Sequence, residues 1–317
     1  MTGVTSRPPY RHGLHEIGDG VFAYLQPDGG WGWSNAGLVV DGDASLLVDT
    51  LYDLRTTGAM LDAMRRTSPA AGTIDVVVNT HANGDHCWGN QLVAGAEIVA
   101  SSACAAEMLE LSPATMAAVM ADPPPGREGD LLRRMLGPFD LEGIEVVPPS
   151  STFDGRTTLL VGDARVELVE VGPAHTRGDV VVHLPDAGVA YTGDIVFNGG
   201  HPIVWSGPVA GWMAACDAVV ALKPEVVVPG HGPVCGLEAV VAERDYFAFL
   251  HREVPPRAAA GMSPLEAARD IDLGPYARLG ERERFVVNVA AVYRDLGHYV
   301  AGGTAGALEQ MAAYGWS

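Results

Sequence analysis

The sequence predicts an α/β fold of two βαβ-like halves packed face to face, followed by a helical extension. Three observations carry this prediction. Apolar strand-like runs alternate with stretches of helical spacing, and this order repeats twice before residue 240. The residues that carry chemistry fall at the ends of the predicted strands, where loops on a rigid scaffold usually place them. Beyond about residue 240 the strands stop, and apolar positions recur at helical spacing.

The elements follow in order. Residues 1–18 read as a tail. Residues 21–25 (VFAYL) form a strand, followed by the loop DGGWGWSNAG. Residues 38–40 and 45–48 flank Asp41-Gly42-Asp43, a hairpin turn signal. Residues 53–66 have helical spacing. Residues 74–79 (IDVVVN) are a continuous apolar strand of the buried kind, running directly into THANGDHCWGN. Residues 101–140 read as a helical insert, broken at Pro123-Pro124-Pro125. Its Met108, Met116, Met120 and Met135 suit an adaptable apolar wall, as in a lid. Residues 156–171 give paired strands around Gly162-Asp163, and 180–192 a second hairpin around Asp186-Ala187-Gly188. Residues 211–222 are helical, and 226–228 form a short strand ending in Pro229-Gly230-His231. Ser263-Pro264-Leu265-Glu266 is a capping box, and Phe285, Val289, Tyr293 and Leu296 repeat at helical spacing. The expected organisation is therefore a tail (1–18), a site-bearing domain (19–240) and a helical extension (241–317).

Composition narrows the function. Twenty basic against thirty-nine acidic residues give a net charge of −19. Such a surface repels phosphate backbones and anionic lipid, so neither nucleic acid nor membrane is an expected partner. An anionic substrate would need a local cation. The four cysteines (Cys87, Cys104, Cys216, Cys235) form no CxxC pair and suit a reducing compartment. The first residues show no apolar targeting segment, and no run reaches the ~18 apolar residues of a membrane span. The expectation is a cytoplasmic protein acting on a small molecule. The apolar C-terminal helices offer a surface for homo-oligomer formation.

Five strand-end segments stand out: Asp49 in LLVDT, His81 to His86 in HANGDH, His175 in GPAHTRGD, Asp194 in YTGDIVF and His231 in PGHGP. Zinc takes imidazole nitrogen and carboxylate oxygen, usually in fours. Two such ions need about six or seven ligands and a bridging carboxylate, and His81, Asp85, His86, His175, Asp194 and His231 supply nearly all of them. A single His-x-x-x-Asp-His loop is weak evidence, but the ordered series of segments is specific.

The series Thr-His-x-x-x-Asp-His, then His, Asp and His, resembles the metallo-β-lactamase superfamily over roughly residues 20–240. The resemblance implies a four-layer αββα sandwich with metals at one edge between the sheets. It assigns His81 and His175 to a first metal site and Asp85, His86 and His231 to a second. Asp194 becomes the bridging carboxylate and Asp49 a supporting residue. The departure is Asn83, where the family usually has a third imidazole for the first site. An amide oxygen is a weak neutral ligand, better suited to hard ions than to zinc. The expectation is one or two zinc ions, with a firm second site and a weakened first, and with iron or manganese as alternatives.

The implied activity is a metal-dependent hydrolase that cleaves an ester, thioester, lactone or amide bond through metal-bound hydroxide, with Asp85 handling the proton. A non-hydrolytic metalloenzyme (oxidoreductase, cyclase or lyase) and a ligand-binding relative with a degenerate centre are the competing readings. Trp31, Trp33, Phe197 and Trp205 are the candidate substrate-pocket residues. His201 is a candidate proton donor or substrate contact, set against the commoner structural role of a lone histidine.

Overall fold

The computed structural model describes residues 5–300 and 303–315. Two mixed sheets face each other. The first contains β1 (Gly13–Gly18), β2 (Val21–Leu25), β3 (Ala36–Asp41), β4 (Ala44–Val48), β5 (Val76–Val78), β6 (Glu97–Ser101) and β7 (Ser151–Phe153), in that spatial order. The second contains β8 (Arg156–Val161), β9 (Ala164–Glu170), β10 (Val180–Leu184), β11 (Val189–Phe197) and β12 (Val226–His231), also in sequential order. Both sheets change from antiparallel to parallel pairing toward one side, at β4–β5 and at β11–β12. Parallel neighbours need a crossover. Helix α1 (Leu54–Thr67) supplies it in the first sheet and α6 (Val209–Leu222) in the second.

The layering follows from strand periodicity. In β2, Val21, Ala23 and Leu25 join the core between the sheets, while Phe22 and Tyr24 point outward toward α1. In β4, Leu46 and Val48 face the second sheet and Leu47 packs with Met60, Leu61 and Met64 of α1. In β10, Val180, Val182 and Leu184 face the first sheet, while Val181 faces the helices outside. Strands buried on both faces read as continuous apolar runs, which is how β5 and β10 look in the sequence. The product is helix, sheet, sheet, helix.

Between β5 and β6 lies the short helix α2 (Gly84–Cys87). Helices α3 (Ser102–Glu107), α4 (Pro113–Ala121) and α5 (Arg127–Leu136) form the insert expected over 101–140. Beyond β12 come α7 (Leu237–Ala259), α8 (Pro264–Asp270), α9 (Arg284–Asp295) and α10 (Gly303–Tyr314), with the Ser263 capping box formed as expected. These helices share one core with the outer face of the second sheet. Trp212 of α6, Phe247 of α7 and Phe285 of α9 sit in a single buried cluster with Val181, Ala190 and Val227. The apolar faces expected to serve self-association are thus largely occupied within the chain, and residues 284–293 of α9 are all buried.

Two expectations need correction. Residues 13–18 are not tail but an edge strand paired to β2, with Gly13 opposite Leu25. Only its last two residues are buried, so it carries little apolar signal. Strands β6 and β7 were not expected; β7 has three residues, too few for a period-2 pattern to register. Among the described residues, no helix is long and apolar enough to cross a membrane.

Candidate metal centre

The strands and the segments that follow them deliver every residue of the cluster. After β4 the chain turns through Asp49, whose backbone is left-handed (φ 61°). A short polar side chain tolerates that region, and such strain concentrates at functional sites. The buried Asp49 carboxylate accepts from the Thr80 N–H and the Thr80 hydroxyl, each at 2.7 Å, and from His86 Nδ1 at 2.9 Å. After β5, residues 79–83 carry His81 and Asn83 into α2, which carries Asp85 and His86. His175 lies on the β9–β10 loop, folded around buried Asp179, which accepts from Ala174 N–H, Thr176 N–H and the Thr176 hydroxyl. Asp194 and His231 lie on the parallel pair β11 and β12. Their approach requires glycine at 230, because a Cβ there would overlap the Asp194 carboxylate.

These side chains form two groups. His81, His175 and Asp194 make one; Asp85, His86 and His231 make the other, and within each the donor atoms lie within 4.8 Å of one another. Asp194 stands between them. Its Oδ2 is 3.3 Å from His175 Nε2, 3.8 Å from His81 Nε2 and 3.5 Å from His231 Nε2. Its Oδ1 is 3.1 Å from His86 Nε2. Asp85 Oδ2 is 3.3 Å from His231 Nε2.

The rings are held with Nε2 toward the centre. His175 Nδ1 donates to the Ile203 carbonyl at 2.7 Å, and His86 Nδ1 donates to Asp49. The Thr80 hydroxyl gives its proton to Asp49, so its oxygen accepts from His81 Nδ1 at 3.0 Å. Carboxylate and carbonyl partners of this kind fix the tautomer of metal-binding histidines. His231 is instead held by its face, stacked on Phe197 at 5.1 Å and 2°. His81 Nε2, His86 Nε2 and Asp194 Oδ1 are buried and lack hydrogen-bond partners. Convergent unpartnered atoms of this kind are costly without a cation to bind them. The donor set of imidazoles and carboxylates therefore fits a divalent metal ion.

The electrostatics agree. Burial lowers His81 and His175 below the usual imidazole range, leaving their lone pairs free. Burial also disfavours charge on His231, but Asp194 and Asp85 outweigh it and raise His231 to about 9. Burial opposes ionisation of Asp85, yet His86 and His231 pull it down to about 2. In the metal-free protein, protons thus occupy the second group and stand in for cationic charge.

Asn83 reaches the first group. It sits at the N-cap of α2 without making a side-chain cap bond. Its amide nitrogen lies 3.1 Å from His175 Nε2, and a half-turn of the amide puts the oxygen there instead. Asn83, Asp85, His175, Asp194 and His231 line one wall of a cavity of about 540 Å³. Trp31, Phe197 and Trp205 line it. Trp33 does not; it packs on Phe139 at 4.8 Å, in the cluster beneath α5. His201 does not line it either. It is fully buried, with Nδ1 3.0 Å from the Tyr246 hydroxyl, and burial with Arg284 and Arg282 nearby lowers it to about 3. A histidine held neutral inside the core donates no proton to a substrate, so its place is structural. Cys87 donates to the Ala82 and Asn83 carbonyls, away from the centre.

The sequence reading missed Arg284, Val287 and Arg294 of α9 and Gln310 of α10, all lining the cavity. Nothing in their local pattern marks them, because only the tertiary fold brings the C-terminal helices over the site. The insert contributes Met116 of α4 and Met135 of α5 to the same wall.

Residues 29–231 match the metallo-beta-lactamase superfamily. The chain is 24% identical over 245 residues to the acyl-coenzyme A thioesterase MBLAC2 of Bos taurus, covering 70% of this chain and 81% of that one. It is 28% identical over 154 residues to the linear primary-alkylsulfatase of Pseudomonas sp. (strain ATCC 19151), covering 44% of this chain and only 29% of that enzyme's length. The solved structure of the stereoselective inverting sec-alkylsulfatase Pisa1 from Pseudomonas sp. superposes with a TM-score of 0.69 at 20% identity, over 91% of this chain and 51% of that one. With the matched span covering more than half of its residues, the chain belongs to the metallo-beta-lactamase superfamily.

Proposed function

We propose that this protein is a metal-dependent hydrolase of a small-molecule ester, thioester, lactone or amide. The observation that carries the reading is a cluster of buried, inward-aimed donor atoms opening into an apolar cavity. A cation bound there supplies a Lewis acid and lowers the pKa of coordinated water from ~15.7 toward ~7.

The chain's own residues do the rest. Trp31, Phe197 and Trp205 hold the apolar part of the substrate and exclude water from the scissile bond. Asp85 is the cluster carboxylate with solvent contact, its side chain 13% exposed. It takes a proton from the attacking water and returns it to the leaving oxygen, sulfur or nitrogen. Asp194 holds the two ligand groups in register. The names of two relatives, a thioesterase and an alkylsulfatase, support hydrolysis of a bond to an acyl or sulfuryl group.

Zinc is the expected ion, by ligand preference. The second group (Asp85, His86, His231) binds it tightly. The first (His81, His175, Asp194) binds weakly, because Asn83 offers a neutral amide in place of an imidazole. A cytoplasmic setting belongs to the same reading, supported by four buried, unpaired cysteines. The test is a panel of aryl ester, thioester, lactone, amide and alkyl sulfate substrates, run with and without chelator on protein of measured metal content. Turnover that chelator removes and zinc restores is expected. Absence of turnover on every substrate points instead to a degenerate binding protein, and iron or manganese with redox activity points to the non-hydrolytic reading.

A further inference from the structure

The cavity wall carries a buried basic group that, among the described residues, forms no ion pair; Glu281, Glu283, Asp194 and Asp85 act on it from longer range. Arg284, at the start of α9, is 1% exposed and lines the same cavity as the metal cluster. Its guanidinium lies 4.1 Å from the Trp31 ring and 5.2 Å from the Phe197 ring. Nη1 donates to the His201 carbonyl at 3.1 Å. Nε is buried without an acceptor, and among the described residues no hydrogen bond to Nη2 is formed. The nearby Glu283 does not pair with it; its Oε1 accepts instead from Trp31 Nε1 at 2.8 Å.

A buried guanidinium without a carboxylate is costly, and two aromatic faces recover only part of that cost. The net charge of −19 repels an anionic ligand, so binding one in this cavity needs a local cation such as this. Arg177, by contrast, is already satisfied, paired with Glu107 and Glu110, which line the cavity. Arg294, one helical face further along α9, also lines the cavity. The remaining edge of Arg284, Nε with Nη2, is the planar fork that meets two oxygens of an oxyanion side by side.

We propose that Arg284 is the anion anchor of the cavity, selecting substrates that carry a carboxylate or sulfate group on an otherwise apolar skeleton. The inference deepens the hydrolase reading and rests on it for the word substrate. The anchor itself is a statement about binding. Trp31 and Phe197, which flank the guanidinium, would hold the apolar skeleton while Arg284 takes the charge. The metal cluster then addresses a bond within the same cavity.

The test reads binding without turnover. Tryptophan fluorescence of the zinc-loaded protein, with Trp31 beside the guanidinium, is titrated with hexanoate, hexyl sulfate and the neutral hexanamide. Wild type is expected to bind at least one anion at least about tenfold more tightly than the amide, and the ratio of the two anions tells carboxylate from sulfate. R284M is expected to abolish that preference, with metal content and melting temperature measured alongside. R284K keeps the charge, loses the fork, and should retain only part of the preference; it also serves if R284M does not fold. Equal wild-type affinity for anions and amide overturns the proposal without recourse to any variant. A preference that survives intact in R284M or R284K overturns it too, because the anion would then be held by the metal. Failure of the hydrolase reading looks different: anion preference through Arg284 persists, but no compound in the panel turns over.

Discussion

Asp49 touches no substrate, yet its carboxylate decides which nitrogen of His86 faces the metal. In D49N the new amide can satisfy the Thr80 N–H with its oxygen, placing NH2 against both His86 Nδ1 and the Thr80 hydroxyl. Both of those groups donate to Asp49 in the native arrangement. His86 relieves the conflict by moving its proton to Nε2, which removes the lone pair aimed at the cluster. The opposite amide rotamer keeps His86 but leaves the Thr80 N–H without an acceptor. Loss of such a supporting carboxylate costs about 10–100-fold in metal affinity, or ~1.4–2.7 kcal/mol. Stability should move differently. Burial raises the Asp49 pKa, with His86 and Thr80 opposing, so an uncharged isostere sheds a desolvation penalty in the metal-free protein. The assay is zinc titration against a competing chelator, paired with thermal melts of the chelated protein. Weaker zinc binding is expected, with a smaller loss of metal-free melting temperature, because the shed desolvation penalty offsets only part of the cost of the unsatisfied donor. Zinc affinity within twofold of wild type would refute the argument that Asp49 sets the His86 tautomer.

Three further outcomes follow from the same geometry. N83H restores an imidazole beside His175 and should raise bound zinc from about one toward two per chain; unchanged metal counts by elemental analysis would show that Asn83 does not limit the first site. Zinc affinity should climb from pH 7 to pH 9, because His231, raised to about 9, must give up its proton to bind metal. The metal-free protein shows the matching stability trend: the His231 contribution is complete below 6.5 and lost as pH rises through 9, so its melting temperature falls across that range. A flat affinity and a flat melting profile would contradict that assignment. G230A places a Cβ on the Asp194 carboxylate and should cost the protein its metal before its fold, seen as low zinc content with near-native circular dichroism.

What was legible in the sequence was local. Each candidate ligand, and the supporting Asp49, sits within a few residues of a strand whose apolar run announces it, so Asp49, His81, Asp85, His86, His175, Asp194 and His231 could be found together. Glycines around them reinforced the signal, and at 230 the reason is steric. The strands that escaped notice were the internal β6 and the two edge strands β1 and β7, where a half-exposed face blurs the alternation. Cavity residues were harder. The insert's Met135 was anticipated as wall, but Trp33 and His201 were drawn to the site by sequence proximity; Trp33 packs, partly buried, on Phe139, and His201 is fully buried. The reverse error explains Arg284. It lies 53 residues beyond the last ligand, His231, in a segment that reads as bland helix. Yet α9 shares its core with the outer face of the second sheet, and that packing swings its first turn over the cavity. The ligands fix what chemistry the centre supports, because metal binding demands a fixed set of atoms at strand ends. Selection among substrates falls to residues from elements that arrive late in the chain, and there the fold, not the motif, sets the neighbours.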